Sequence, residues 1–99
     1  MKDLHFENLF IRILPRVTEE NHQQVKKWGV QDHEPSMWLT ITAEEFGEMA
    51  KAILEHTFGS GKPDAVVKEA IQTATLCLKI AEMFDALNPE SKIYGIISE

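Results

Sequence analysis

Residues 36–57 (SMWLTITAEEFGEMAKAILEHT), 58–64 (FGSGKPD) and 65–87 (AVVKEAIQTATLCLKIAEMFDAL) decide the fold, because two stretches of helical periodicity flank one sharp break. Apolar residues recur at helical spacing on both sides, and no segment sustains the alternation of a strand. Two glycines and a proline in the break stop one helix and start the next, with Asp64 as the expected cap and Asn88-Pro89 as the expected end. Connections this short make successive helices antiparallel neighbours, so the chain reads as an all-α antiparallel helical bundle.

Upstream, Leu4, Phe6, Leu9, Phe10, Ile13 and Leu14 predict a first short helix that Pro15 ends or kinks. Thr18, with Glu20 and Asn21 nearby, offers capping chemistry for a helix that runs to Trp28 and stops at Gly29. A polar loop, GVQDHEPS, leads to the long segment that starts near Ser36. The tail SKIYGIISE fits a short strand, an arm packed on the bundle or an oligomer contact.

Ninety-nine residues, 43% of them hydrophobic, make a single domain spanning 1–99 with one core. Ten basic against sixteen acidic residues give a formal net charge of −6, which argues against a polymeric nucleic acid or an anionic membrane as partner. A nucleotide held through a divalent cation remains compatible with that charge. No apolar run approaches the roughly 18 residues of a spanning helix. The lone Cys77 excludes an intramolecular disulfide and a Cys-rich zinc site, and the first residues lack signal-peptide character. The expectation is a soluble cytoplasmic protein.

Helical angle separates the acids, at about 100° per residue. On 36–57, Leu39, Phe46, Met49, Ala50 and Ile53 define an expected apolar sector, with Glu44, Glu48, Lys51 and Glu55 pointing away. Glu45 falls on the shoulder of that sector near Trp38 and Met49, so partial burial is expected. On the later helix Glu69 shares a stripe with Leu76, Ile80 and Leu87, flanked by Val66, Thr73 and Phe84, and Gln72 lies at its edge. A buried carboxylate protonates, pairs with a base or binds a cation. Antiparallel packing would set Glu45 and Glu48 opposite Glu69 and Gln72, and oxygen ligands of this kind favour Mg²⁺, with Mn²⁺ as the alternative. A capped or protonated Glu69 is the competing reading.

The same residues carry a resemblance. Glu44-Glu45-Phe46-Gly47-Glu48 followed by Glu69-Ala70-Ile71-Gln72 resembles the EExxE…ExxD signature of the MazG-like all-α nucleoside triphosphate pyrophosphohydrolases. The segment Lys27-Trp28-Gly29-Val30-Gln31-Asp32-His33, with Trp38 before the EExxE, is similar to a phage-type branch carrying KWGxQxH. The resemblance spans roughly residues 19–84 and departs at Gln72, where the wider family has Asp; the change removes one negative charge from the expected metal site. It implies a MazG-like bundle that hydrolyses a nucleoside triphosphate between the α- and β-phosphates, giving a monophosphate and pyrophosphate. Glu45, Glu48 and Glu69 would then hold Mg²⁺, and Glu44 is the candidate for accepting the proton of the attacking water.

Trp28 and Trp38 are candidates for stacking on a base or for core anchoring. Lys27 and His33 are candidate substrate contacts, and Lys51 either reaches a phosphate or pairs with Glu48 on the surface. His5, His22 and His56 read as surface residues, and Cys77 as a small buried one. The glycines of FGSGKPD make a turn, because the GxxxxGK[ST] spacing of a phosphate loop is absent. Val67, Ile71, Ala74 and Leu78 form a second apolar stripe on the late helix, and covering it calls for a homodimer or homotetramer. The function so implied is a pyrophosphohydrolase; the alternative is a catalytically weak nucleotide- and metal-binding helical dimer that senses a nucleotide or binds a partner.

Overall fold

A computed structural model describes residues 6–88 and is entirely helical over its regular elements. A π-helical segment, Leu9–Ile13, runs directly into α1 (Leu14–Trp28); α2 (Pro35–Phe58) and α3 (Pro63–Asp85) follow. The all-α expectation is met, and none of the described helices is long and apolar enough to cross a membrane. The tail 91–99 and His5 lie outside the described residues.

The N-terminal boundary differs from the sequence expectation. Pro15 does not end a helix; it sits in the first turn of α1, which follows the π segment without a gap. Proline has no N–H to offer the carbonyl four residues back, and the wide turn that closes from Leu14 N–H to Leu9 O accommodates this loss. Thr18 is correspondingly inside α1, where its Oγ1 donates to Leu14 O at 3.2 Å, and caps nothing. Gly29 stops α1 as expected, with φ +75° and ψ −173°.

Residue Lys62 caps α3 through its backbone conformation, without a side-chain hydrogen bond. Asp64 lies one step inside, in the first turn, where its charge meets the positive end of the helix dipole. Gly61 is required in the connection, since a Cβ there would come within 2.9 Å of the Glu55 and His56 backbone. α3 ends at Asp85, and residues 86–88 form a turn.

Helix α3 is central and packs on both α1 and α2. α2 and α3 form an antiparallel hairpin across their short connection. α1 runs in the same direction as α3, since Arg16 shares a hollow with Ile71 while Gln24 meets Lys79. The buried residues are few: Val17, Trp38, Ala52, Ile71 and Leu76 among the apolar ones, with Gln24, Thr73 and Thr75 beside them. Thr73 and Thr75 are satisfied locally, donating to Glu69 O and Ile71 O at 2.8 Å.

Three expectations about faces are corrected. On α2 the inward stripe is Trp38, Ile41, Glu45, Met49 and Ala52, whereas Leu39, Phe46 and Ile53 lie exposed on another side. The apolar residues of α2 occupy more than one face, so their average direction does not identify which face meets α3. On α3, Ile71 is buried within the single chain because α1 covers it, while Leu78 and Phe84, and Leu87 in the turn beyond the helix, stay about half or more exposed. Cys77 is exposed, not a small core residue.

Candidate functional site

Residues of the three helices converge on a cleft of about 240 Å³. α1 contributes Glu20, Gln24 and Trp28, α2 contributes Ile41 and Glu45, and α3 contributes Gln72 and Leu76. Seven-residue spacing explains the alignment, because seven steps of 100° return within about 20° of the start. Trp38 and Glu45 therefore share one line of α2, and Glu69 and Leu76 share one line of α3.

Beside this cleft the Glu45 and Glu69 carboxyl groups meet across the hairpin. With its amide nitrogen turned toward them, Gln72 donates to Glu45 Oε2 at 3.2 Å and to Glu69 Oε2 at 3.1 Å. The Glu45 carboxyl is held above the ordinary carboxylate range. Burial is the largest cause, followed by repulsion from Glu69, a hydrogen bond to Glu69 that favours the protonated form, and the charges of Glu48 and Glu20.

The expected site residues are brought together only in part. Glu45, Glu69 and Gln72 form one constellation, each half-buried. Glu44 and Glu48 lie exposed on α2, and Glu48 acts on Glu45 only through its charge. Among the described residues, no group of three or more His, Cys, Asp or Glu side chains is arranged to hold a metal ion. Lys51 is exposed. Trp28 stands at the cleft, 56% exposed, with the Lys27 ammonium 4.8 Å above its ring, an arrangement that favours a cation–π contact.

Trp38 is a core anchor at 5% exposure, and His33 meets its ring edge-on at a centroid distance of 5.1 Å. His33 Nε2 is buried without a hydrogen-bond partner. A second hollow of about 340 Å³ lies beside the cleft and is lined by Asp32, Trp38, Lys79 and Glu82 among others. Of the other histidines, His22 is exposed, and His56 is exposed with Nδ1 2.9 Å from Gly61 O.

No family model, curated protein or solved structure matches this chain.

A relay through Glu20, Gln24 and Lys79 is absent from the sequence reading. Gln24, 6% exposed, donates through Nε2 to Glu20 Oε2 at 2.7 Å and accepts from Lys79 Nζ at 2.7 Å. Burial lowers the Lys79 ammonium below its usual range, and the Glu20 charge opposes that shift. The signal was available on each helix: Gln24 follows Glu20 by one turn, and Lys79 follows Gln72 by two. That α1 lies beside α3 had no sequence signal.

Fit to a divalent cation rests on the donor chemistry. Two carboxylates and one amide oxygen are hard ligands of the type Mg²⁺ takes with water completing its shell. Burial first, and then repulsion from Glu69, raise Glu45, and the repulsion is the part a cation would remove. The fit is one of donor type: Glu45, Glu69 and the Gln72 amide oxygen would be the residues to hold such an ion.

Proposed function

We propose that this protein is a Mg²⁺-dependent, MazG-like nucleoside triphosphate pyrophosphohydrolase, with Mn²⁺ as an alternative ion. The observation that carries the reading is the convergence of Glu45 and Glu69 on the amide of Gln72, beside a cleft that also holds Trp28. The EExxE…ExxQ order and the KWGxQxH segment support the reading by their resemblance to the family's EExxE…ExxD pattern, from which Gln72 departs.

Glu45, Glu69 and Gln72 would hold the ion, with Glu48 completing the acidic side from its exposed position. A bound divalent cation would neutralise the triphosphate and polarise the attacking water. Glu44 would accept the proton of the attacking water, and Trp28 would offer a ring face to the base. Lys27 and Lys51 are solvent-facing candidates for phosphate oxygens, and His33, in the loop between α1 and α2, is a candidate substrate contact. No protein nucleophile is needed.

A cleft of about 240 Å³ lies below the ~300–1,000 Å³ of most small-molecule sites, so a second copy is proposed to complete it. Leu39, Phe46 and Ile53 recur every seven residues on the outer face of α2, with Ala43 and Ala50 between them. Large knobs alternating with small residues suit helix-to-helix packing in a homodimer or homotetramer. The reading keeps a soluble cytoplasmic protein without membrane or polymeric nucleic-acid partners.

One observation favours the second reading, a nucleotide-binding sensor of low turnover: among the described residues only two carboxylates converge, and Gln72 stands where the family has Asp. Pyrophosphate release from a panel of triphosphates with Mg²⁺, compared with Glu48→Gln and Glu69→Gln, decides between them. Turnover lost in both variants is expected. Mg²⁺-dependent nucleotide binding without turnover selects the sensor, and neither binding nor turnover removes both.

A further inference from the structure

Because α1 and α3 run together and α2 runs against them, the start of α1 and the end of α2 share one end of the bundle. That end is apolar and uncovered. Phe6, Phe10 and Ile11, in the arm that precedes α1, are 73%, 72% and 75% exposed, and Phe58, the last residue of α2, is 82% exposed. Clustered exposed apolar side chains mark an interaction surface. The arm cannot fold back to cover itself, since Leu9–Ile13 runs into α1 as one continuous helix, closed across the junction by Leu14 N–H to Leu9 O, and packs on α1. Its outward side is fixed by the helix it extends, and only another molecule can cover it.

Shape and charge indicate which molecule. Along the second half of α2, Gly47, Ala50, Leu54 and Phe58 line an open hollow of about 620 Å³, and no atom lies within 4 Å of the place a Cβ on Gly47 would take. Exposed acids Glu44, Glu48 and Glu55 flank it, with Lys51 as the one base among them. The arm carries the complement. It offers aromatic side chains to an apolar hollow, and Arg12 and Arg16 stand together on one of its sides. Neither arginine has a hydrogen bond or an ion pair among the described residues.

We infer that the arm of residues 6–16 in one copy of this chain docks on the outer groove of α2 over residues 47–58 in a second copy, with Phe10 in the hollow and Arg12 and Arg16 against Glu48 and Glu55. The inference rests on the second copy proposed above and names the contact that holds it. Both copies carry both surfaces, so each arm is received by the other copy's groove and the exchange closes at two chains. Burial of the aromatic side chains supplies affinity, and the charged edge sets partner choice and orientation.

Charge reversal tests the exchange on the full chain, with mass by light scattering as the readout because Glu48 also belongs to the proposed site. Arg12→Glu with Arg16→Glu gives an acidic arm and leaves an acidic groove; Glu48→Arg with Glu55→Arg gives a basic groove and leaves a basic arm. Each protein alone should associate about tenfold or more weakly than the wild type, with helical content unchanged by circular dichroism. Mixed one to one, both arm-to-groove contacts become complementary, and the mixture should regain the wild-type mass. An arm variant that keeps the wild-type mass overturns the exchange and leaves a dimer built on the faces of α2. Two weakened variants that stay apart on mixing overturn it as well. A monomeric wild type overturns the exchange and the proposed second copy together.

Discussion

Glu45 on α2 and Glu69 on α3 stand close enough for one proton to bridge their carboxyl groups. Two acids so placed repel when both are ionised.

A pH dependence follows from the direction of the Glu45 shift. Its carboxyl is raised by burial and by Glu69, so the folded state binds the proton more tightly than the unfolded chain. Stability therefore falls as pH rises above the ordinary carboxylate value and is regained as pH drops through the raised one. In EDTA, thermal unfolding between about pH 5 and pH 8 should slope downward for the wild type and more shallowly for Glu45→Gln. Identical slopes would sink the claim that this carboxyl is perturbed.

The bridge from Lys79 through Gln24 to Glu20 ties α3 to α1. Replacing Gln24 by Leu leaves a half-buried ammonium without its acceptor and should cost about 1.5–3 kcal/mol. Combining Gln24→Leu with Lys79→Met should cost less than the two separate losses added together, by about 0.5–3 kcal/mol of coupling. A urea-denaturation cycle measures this, and strict additivity would mean that the contact contributes nothing.

Two glycines make opposite predictions although both have open space around them. Gly29 has φ +75° and ψ −173°, a region essentially confined to glycine, so Gly29→Ala should destabilise by about 1–3 kcal/mol. Gly47 is inside α2, where Gly47→Ala should stabilise by about 0.5–1 kcal/mol. Denaturation midpoints of the two variants should move to opposite sides of the wild type.

The outer face of α2 carries the subunit proposal. Phe46 is 58% and Leu39 68% exposed in the single chain. Phe46→Lys with Ile53→Lys should reduce the mass seen by light scattering to that of one chain and lower turnover with it, while helical content is kept. A wild-type protein that is already monomeric at tens of micromolar would rule this out.

Much of the helical hairpin was legible because its signals are local. The apolar periodicity gave α2 and α3, Gly59 to Pro63 gave the turn, and Gly29 gave the end of α1. Pro15 was misread because proline disrupts a helix interior but suits a first turn, and only the chain on both sides decides which of these it meets. The wet and dry faces of α2 were misread for a related reason. Leu39, Phe46 and Ile53 are as apolar as the residues that face α3, and sequence cannot say which apolar face meets an intramolecular partner.

The acidic site divides in the same way. That Glu45 and Glu69 are poorly solvated followed from their angles to Trp38 and Leu76, because a side chain seven residues from a core anchor lies on the same line of its helix. Sequence alone therefore determined the helices, the break between them and the two misplaced acids. Tertiary structure alone decided that Gln72 reaches both carboxylates, that Glu48 stays outside them, and that α1 brings Glu20, Gln24 and Lys79 to the cleft. Helical periodicity fixes a residue's angle about its own axis, but distances between helices depend on crossing geometry and partner choice. Those are set by the packing of the whole chain.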